Sequence, residues 1–349
     1  MLNRRGRLTS GEIDVLFASL AHAKRVLLAV SGGPDSTALT LMAASWSRQP
    51  GRPNVEVATV DHAIRAEARA EVDAVADLCR RLGLPHHVLE WRGAKPMSRI
   101  QELAREARYR LLIDCAGAIG ADCLVTAHHA DDQAETVLFR LLRGSGIAGL
   151  AGMPQSVMRD GVALVRPLLS LSKADLVAYC REHGEAFARD PTNDDPRFAR
   201  TNLRKLMTIL AKEGLGAAEF ARLASRAASM EDAVRRATEA ASARLAWPVG
   251  GPCDARALFA EPLEVAQRLI AERVHEAGGR AGRPIRLEQI EALAMTLKDA
   301  LERNATHRAN IGGSDIALGG LGRLTIKPES PRRKIAPKRA AKTAVRTIK

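Results

Sequence analysis

Aromatic side chains are scarce in this sequence: Phe, Tyr and Trp make up 3% of 349 residues. RRM and OB-type nucleic-acid binders stack bases on aromatic platforms, so a platform of that kind is excluded. Cysteine is also sparse. Cys79, Cys115, Cys123, Cys180 and Cys253 are odd in number and form no CxxC pair, which argues against a disulfide framework or a cysteine zinc site. All five are expected as small buried apolar side chains. No window offers about 18 uninterrupted apolar residues, so no membrane span is expected. The opening residues, MLNRRGRLTSGEIDVLF, are basic but lack an apolar h-region. No secretory signal is read there, and the cytoplasm is the expected compartment. No internal repeat is found.

Positive charge is what the sequence has in excess. Lys and Arg total 53 against 40 Asp and Glu, a formal net charge of +13. Residues 331–349 carry Arg332, Arg333, Lys334, Lys338, Arg339, Lys342, Arg346 and Lys349 with no acid, which leaves +5 for residues 1–330. A polyanion suits that balance, although charge by itself is equally met by a solubilising tail. With 46% apolar and 27% charged residues, the composition is that of an ordinary globular protein, and the length allows two domains.

The first half alternates short apolar runs with helical periodicity. Strands are predicted over Arg25–Val30, Val55–Val60, Pro85–Glu90 and Asp122–Ala127. Helices are predicted from Thr37 to about Trp46, over Glu67–Leu82, Ile100–Ile119 and Asp132–Leu142. This alternation predicts an α/β fold with a doubly wound, mostly parallel sheet. A strand or hairpin follows around Asp160–Gly161, and Ser172 opens another helix with Asp175 three residues on. Ala-, Arg- and Glu-rich helices run from about Ala217 to Arg303, and Asn310–Lys327 reads as two short strands joined by glycines. The expected domains are residues 1–215, a smaller, mainly helical unit over 216–330, and a basic, disordered tail over 331–349.

Three polar clusters follow strands and precede helices. Ser31-Gly32-Gly33-Pro34-Asp35-Ser36 comes first. Two glycines permit a tight turn and a close ligand approach, and Pro34 fits the first helical turn. Unpaired N–H groups at a helix start make an anion site suited to a nucleotide phosphate. The pattern is neither Walker A nor GxGxxG. A carboxylate at Asp35, beside such a cradle, calls for an intervening cation and suggests Mg2+; a helix N-terminal cap is the structural alternative. VDHAIR (60–65) and Thr126–Thr136 (TAHHADDQAET) are the other two clusters. In a parallel sheet all three share the carboxyl edge, where open α/β sheets bind ligands. His128 and His129 are adjacent rather than one turn apart, so zinc is disfavoured. One of Asp131 and Asp132 is expected to cap the following helix. Asp132 and Glu135, three apart, share a helix face suited to an amine.

SGGPDS resembles the signature of the PP-loop ATP pyrophosphatases. Together with VDHAIR, AREARYR, TAHHADDQAETVLFRLLRGSGIAGLAGM, RPLL and DPTN, it resembles the tRNA(Ile)-lysidine synthetase family over about residues 24–205, and more weakly to about 330. The resemblance implies a two-step ligation. ATP adenylates the wobble cytidine (position 34) of a CAU-anticodon tRNA(Ile), and the side-chain amine of free L-lysine then displaces AMP from C2. It places ATP on Ser31, Gly32, Gly33, Pro34, Asp35 and Ser36, with Asp35 also near Mg2+. It gives catalytic roles to Asp35, His128 and Asp132, and lysine contacts to Arg108 and Glu135. Arg200 and Arg204 become candidates for tRNA contact, with a structural salt bridge as the alternative for both. The partners implied are tRNA(Ile) and L-lysine, with no membrane; monomer and homodimer both stay open. Longer members of the family carry a further C-terminal domain, whereas this sequence passes into the basic segment. A cytidine 2-thiolating PP-loop enzyme is the nearest rival and should carry paired CxxC cysteines. GMP and asparagine synthetases need a glutaminase domain. A non-catalytic tRNA-binding homologue has no need for intact Asp35, His128, Asp132 and Glu135.

Overall fold

The alternation of apolar runs with amphipathic stretches folds as a layered sheet. The computed structural model describes residues 8–61, 67–91, 100–187, 199–278 and 285–329. Residues 62–65 of VDHAIR, the DPTN run and residues 331–349 lie outside the described residues, as does the side chain of Arg200. The first half runs α1 (Ser10–Leu16), β1 (Arg25–Ala29), α2 (Pro34–Ser47), β2 (Asn54–Asp61), α3 (Glu67–Leu82), β3 (His86–Glu90), α4 (Ile100–Ile119), β4 (Cys123–Thr126) and α5 (Ala130–Leu141). A short α6 (Ile147–Leu150), the hairpin β5 (Ser156–Arg159) and β6 (Val162–Val165), then α7 (Lys173–Glu182) and α8 (Ala199–Lys212) follow.

The sheet order is β3-β2-β1-β4-β6-β5. All neighbours are parallel except the β5–β6 hairpin. That hairpin turns on Asp160 and Gly161 at φ 48° and 84°, the left-handed pair that an Asp-Gly two-residue turn supplies. Side chains alternate across the pleat, and both faces are covered. Val26, Leu28, Val57, Val125 and Val165 join Leu39, Met42 and Trp46 of α2 in one core. Leu27, Ala58, Leu124 and Leu164 meet Tyr109, Leu112 and Ala116 of α4 in the other. Buried nearly all round, α2 has a continuous apolar character rather than a stripe. The chain adds β2 and β3 on one side of β1, then crosses to β4 on the other. Reversal between β1 and β4 makes that pair the topological switch point, where such sheets bind ligands. The cap expected at Ser172 forms a capping box with Asp175, and a further capping box joins Thr9 with Glu12.

The remaining elements are α9 (Ala217–Leu245), β7 (Pro252–Asp254), α10 (Ala255–Ala260), α11 (Leu263–Gly278), α12 (Leu287–Glu302), β8 (His307–Ile311), β9 (Ser314–Leu318) and β10 (Arg323–Pro328). The chain divides into two compact units between Glu231 and Asp232, inside α9, whereas the sequence places the boundary at 215/216. The first unit therefore includes α8 and the start of α9. Leu203, Phe220 and Ala224 pack there on Ala134, Val137 and Leu138 of α5. In the second unit α10, α11 and α12 bury Leu258, Leu269, Ile270 and Leu297 against Ile316, Leu318, Leu324 and Ile326. These last four belong to a four-stranded antiparallel sheet, β7-β10-β9-β8. The expected pair of strands over Asn310–Lys327 is thus three strands, joined by β7 as a fourth. All five cysteines are buried, and all are free thiols.

Candidate active site

Gly32 adopts φ +81°, in the left-handed region, where a Cβ would touch Val75 and the Glu71 carbonyl of α3 at ordinary contact distance. Only glycine takes that turn without strain. Gly33 then serves as N-cap of α2 without a side-chain cap, and Pro34 follows in the first turn. The Ser36 hydroxyl donates to the Gly33 carbonyl at 3.1 Å and accepts from the Ser31 N–H at 3.2 Å. Ser36 thereby fixes the loop as well as lining it. The Cys180 thiol of α7 donates to the Pro34 carbonyl at 3.3 Å, which braces the loop from behind. With no side chain over its first turn, the start of α2 keeps the positive end of its dipole for an anion.

The β4–α5 loop closes on the same edge. His129 is the N-cap of α5 and is only 4% exposed. Its backbone N–H donates to Asp132 Oδ2 at 3.1 Å, so Asp132 is the capping carboxylate. Asp131 instead accepts from the Lys173 N–H at 2.8 Å, tying α5 to the start of α7. The His129 ring stands 3.5 Å from Asp35 Oδ2, 3.4 Å from Asp132 Oδ2 and 3.4 Å from Asp131 Oδ2. Burial lowers its pKa, but the carboxylates of Asp131 and Asp35 outweigh burial and push it up to about 10. The Asp131 N–H also points at Nδ1, at 3.2 Å, a contact that needs the neutral ring as acceptor. Three carboxylates within 3.5 Å favour the imidazolium over that single weak bond. His129 thus joins Asp35 of the first loop to Asp132 of the second, across the switch point.

His128 behaves in the opposite way. Burial pushes its pKa down; Asp132 opposes this, and the charges of Arg166, Arg105 and His129 reinforce it. Its ring is therefore neutral at neutral pH. Nδ1 lies 2.8 Å from the Thr126 hydroxyl, which leaves Nε2 as the ring nitrogen able to meet a substrate. Two adjacent histidines with opposite charge states give the edge a cation and a neutral hydrogen-bonding group side by side.

Asp35 carries a further signal: its Oδ1 is buried and has no hydrogen-bond partner. An orphaned carboxylate oxygen beside an anion cradle fits a divalent cation shared with substrate phosphates, since Mg2+ takes one or two carboxylates and otherwise phosphate and water oxygens. No group of three potential metal ligands occurs among the described residues.

Of the other expected site residues, Glu135 accepts from Arg204 Nε at 2.6 Å, and its side chain is largely buried. The expected lysine contact and the expected tRNA contact thus form one ion pair between α5 and α8. Arg108 is exposed on α4, next to buried Tyr109. The sequence reading missed His129 and Arg166. Both directly follow a strand or its loop at the carboxyl edge, a signal present in the sequence, but burial at 4% and 8% is what marks them.

A buried parallel sheet with a Gly-rich anion loop at its switch point defines an ATP-binding PP-loop domain. The family model described as a PP-loop domain matches residues 9–210. Among solved structures, a U34-tRNA thiolase from Methanococcus maripaludis with its [4Fe-4S] cluster superposes with a TM-score of 0.54 at 17% identity, covering 62% of this chain and 77% of that one. That likeness concerns the fold alone. Curated relatives are far nearer. The tRNA(Ile)-lysidine synthase of Methylobacterium nodulans is 51% identical over 88% of this chain and 91% of its own length. That of Rhodopseudomonas palustris is 46% identical over 93% and 96%. The chain belongs to the tRNA(Ile)-lysidine synthase family. No helix among the described residues is long and apolar enough to cross a membrane.

Proposed function

We propose that this chain joins L-lysine to C2 of the wobble cytidine, position 34, of a CAU-anticodon tRNA(Ile), by way of an adenylated tRNA, releasing diphosphate and then AMP. The observation that carries the reading is the His129 ring holding Asp35 of the PP-loop and Asp132 of the α5 N-terminus within 3.5 Å, in a chain of this family. It unites a nucleotide site with a polar group suited to a second, amine substrate.

In the first step O2 of the cytidine attacks the α-phosphorus of ATP, and diphosphate leaves. The first turn of α2 and the Ser31–Ser36 loop hold the phosphates through backbone N–H groups. Mg2+ is part of the reading: Asp35 would hold it, and when bound it neutralises phosphate charge. In the second step the lysine ε-amine attacks C2, and the C2–O bond breaks with AMP as the leaving group. The ammonium must first lose a proton, and Asp132 is the base we assign. Glu135, one turn along α5, supplies the counter-charge for the incoming ammonium, and Arg108 meets the lysine carboxylate. His128, neutral and tethered through Thr126, offers Nε2 to the cytidine or its adenylate. Arg200 and Arg204 at the start of α8 contribute tRNA contact, Arg204 through the same ion pair that positions Glu135.

The test is incorporation of labelled lysine into an unmodified tRNA(Ile) transcript with a CAU anticodon. AMP should appear only with lysine and tRNA both present. AMP release with no label on the tRNA would refute the reading.

A further inference from the structure

Arg166, the residue directly after β6, is 8% exposed, yet it has no carboxylate within ion-pair distance among the described residues. Its Nη1 donates to the Pro154 carbonyl at 2.8 Å, its Nε is buried without a partner, and the Tyr109 hydroxyl stands within hydrogen-bonding reach. Two more guanidinium groups gather on the same tyrosine. Arg159 lies 4.0 Å and Arg105 lies 5.5 Å from the ring centroid. Among the described residues the one carboxylate within ion-pair distance of Arg159 is Asp160, at 3.9 Å. Three positive charges around one ring, one of them buried and short of an acceptor, are unfavourable unless an anion completes them. Guanidinium groups match phosphate geometry.

We infer that Arg166, with Arg105 and Arg159 around Tyr109, forms a phosphate site at the carboxyl end of β6 that holds a backbone phosphate of the RNA acceptor. The inference rests on the reading under Proposed function. Placement decides between two sources of phosphate. The nucleotide cradle follows β1, and β6 stands two strands away beyond β4, about 10 Å across the sheet. His128 follows β4, between them. An anion at Arg166 therefore lies on the far side of His128 from the ATP phosphates, and we assign that side to the acceptor strand.

The test uses the full chain with Arg166→Met and, on a side chain 38% exposed, Arg159→Gln. Binding of the tRNA transcript is measured across a salt titration. ATP affinity is measured without RNA, and the KM for lysine with saturating RNA. Arg166→Met should weaken tRNA binding about tenfold or more and reduce the salt slope by about 1. ATP affinity and lysine KM should stay within about twofold. Arg159→Gln should weaken tRNA binding about threefold, and it carries the test if Arg166→Met does not fold. Unchanged tRNA affinity overturns the site. A loss confined to ATP affinity or to lysine KM also overturns it, by assigning the cluster to the nucleotide or to the lysine carboxylate. If the unsubstituted protein transfers no lysine, the underlying reading fails instead, and that control separates the two failures.

Discussion

Asp35 puts a negative charge where an anion cradle has use only for donors. Its Oδ2 faces the His129 ring at 3.5 Å, while Oδ1 is buried and unpartnered. Half of the carboxylate is thus satisfied by the protein, and the other half is the oxygen that the proposed reading gives to a cation. Asp35→Ala should abolish AMP and diphosphate release, by about a hundredfold or more, while tRNA affinity stays within about twofold. Pyrophosphate release at the normal rate would remove Asp35 from the metal site. Glu135 poses a different problem, because Arg204 already occupies one of its oxygens. An ion pair of this kind can hold a carboxylate in place for a second cation. Glu135→Gln keeps the shape and loses the charge. We expect adenylation of the tRNA to persist while lysine KM rises about tenfold. A fall in kcat for both half-reactions with unchanged lysine KM would make the pair purely structural.

Among the elements, α7 does more for the site than its position suggests. Its first N–H binds Asp131, its Cys180 braces Pro34, and Glu185 just beyond its end takes a bidentate contact from Arg81 of α3 at 2.6 and 2.7 Å. The Arg81 hydrogen bonds hold the Glu185 carboxyl below its usual pKa. A depressed carboxyl pKa stabilises the fold above the unfolded value of 4.5 and ceases to do so as pH falls through the folded pKa. Arg81 is 59% exposed, so the effect is small, about 0.2–1 kcal/mol. Glu185→Gln should lower Tm by about 1–3 °C at pH 7, and the gap should narrow steadily as pH falls below 4.5. A gap that does not narrow over that fall in pH would assign the loss to packing rather than charge. The same elements show what the sequence makes legible. Helices α3 and α4 have their expected bounds, because amphipathic spacing is local. The hairpin at Asp160–Gly161 is legible because its turn chemistry is local too. The charge state of His129 is not, since it depends on Asp35, 94 positions away in the chain. Nor is Arg166, whose burial follows from α4 covering the sheet. Strand β7 escapes because three residues carry no period, and β8 because its residues alternate only between half-buried and exposed.

At the scale of the whole molecule, the question is where the positive charge acts. Of the formal +13, the segment 331–349 contributes +8. Charge there raises RNA affinity only if it releases counterions from phosphates, and each such contact adds about 0.7–0.9 to the slope of log K against log salt. Deleting residues 331–349 should therefore weaken tRNA binding at low salt and flatten the slope by several contacts' worth. Turnover at saturating tRNA should stay near normal, since every group given a chemical role here lies between Ser31 and Arg204. The deletion and the Arg166→Met variant should also differ in kind. A run of positive charge without acids adds to any RNA, so the truncated protein should lose affinity equally for tRNA(Ile) and for an unrelated tRNA. A built phosphate site acts only when the anticodon loop is seated, so Arg166→Met should lose more with tRNA(Ile) than with the unrelated tRNA. Salt titrations of both variants against both RNAs check this. An unchanged slope after truncation would leave the +5 of residues 1–330 to account for RNA attraction, and a loss of turnover at saturation would mean that the segment helps to position the anticodon.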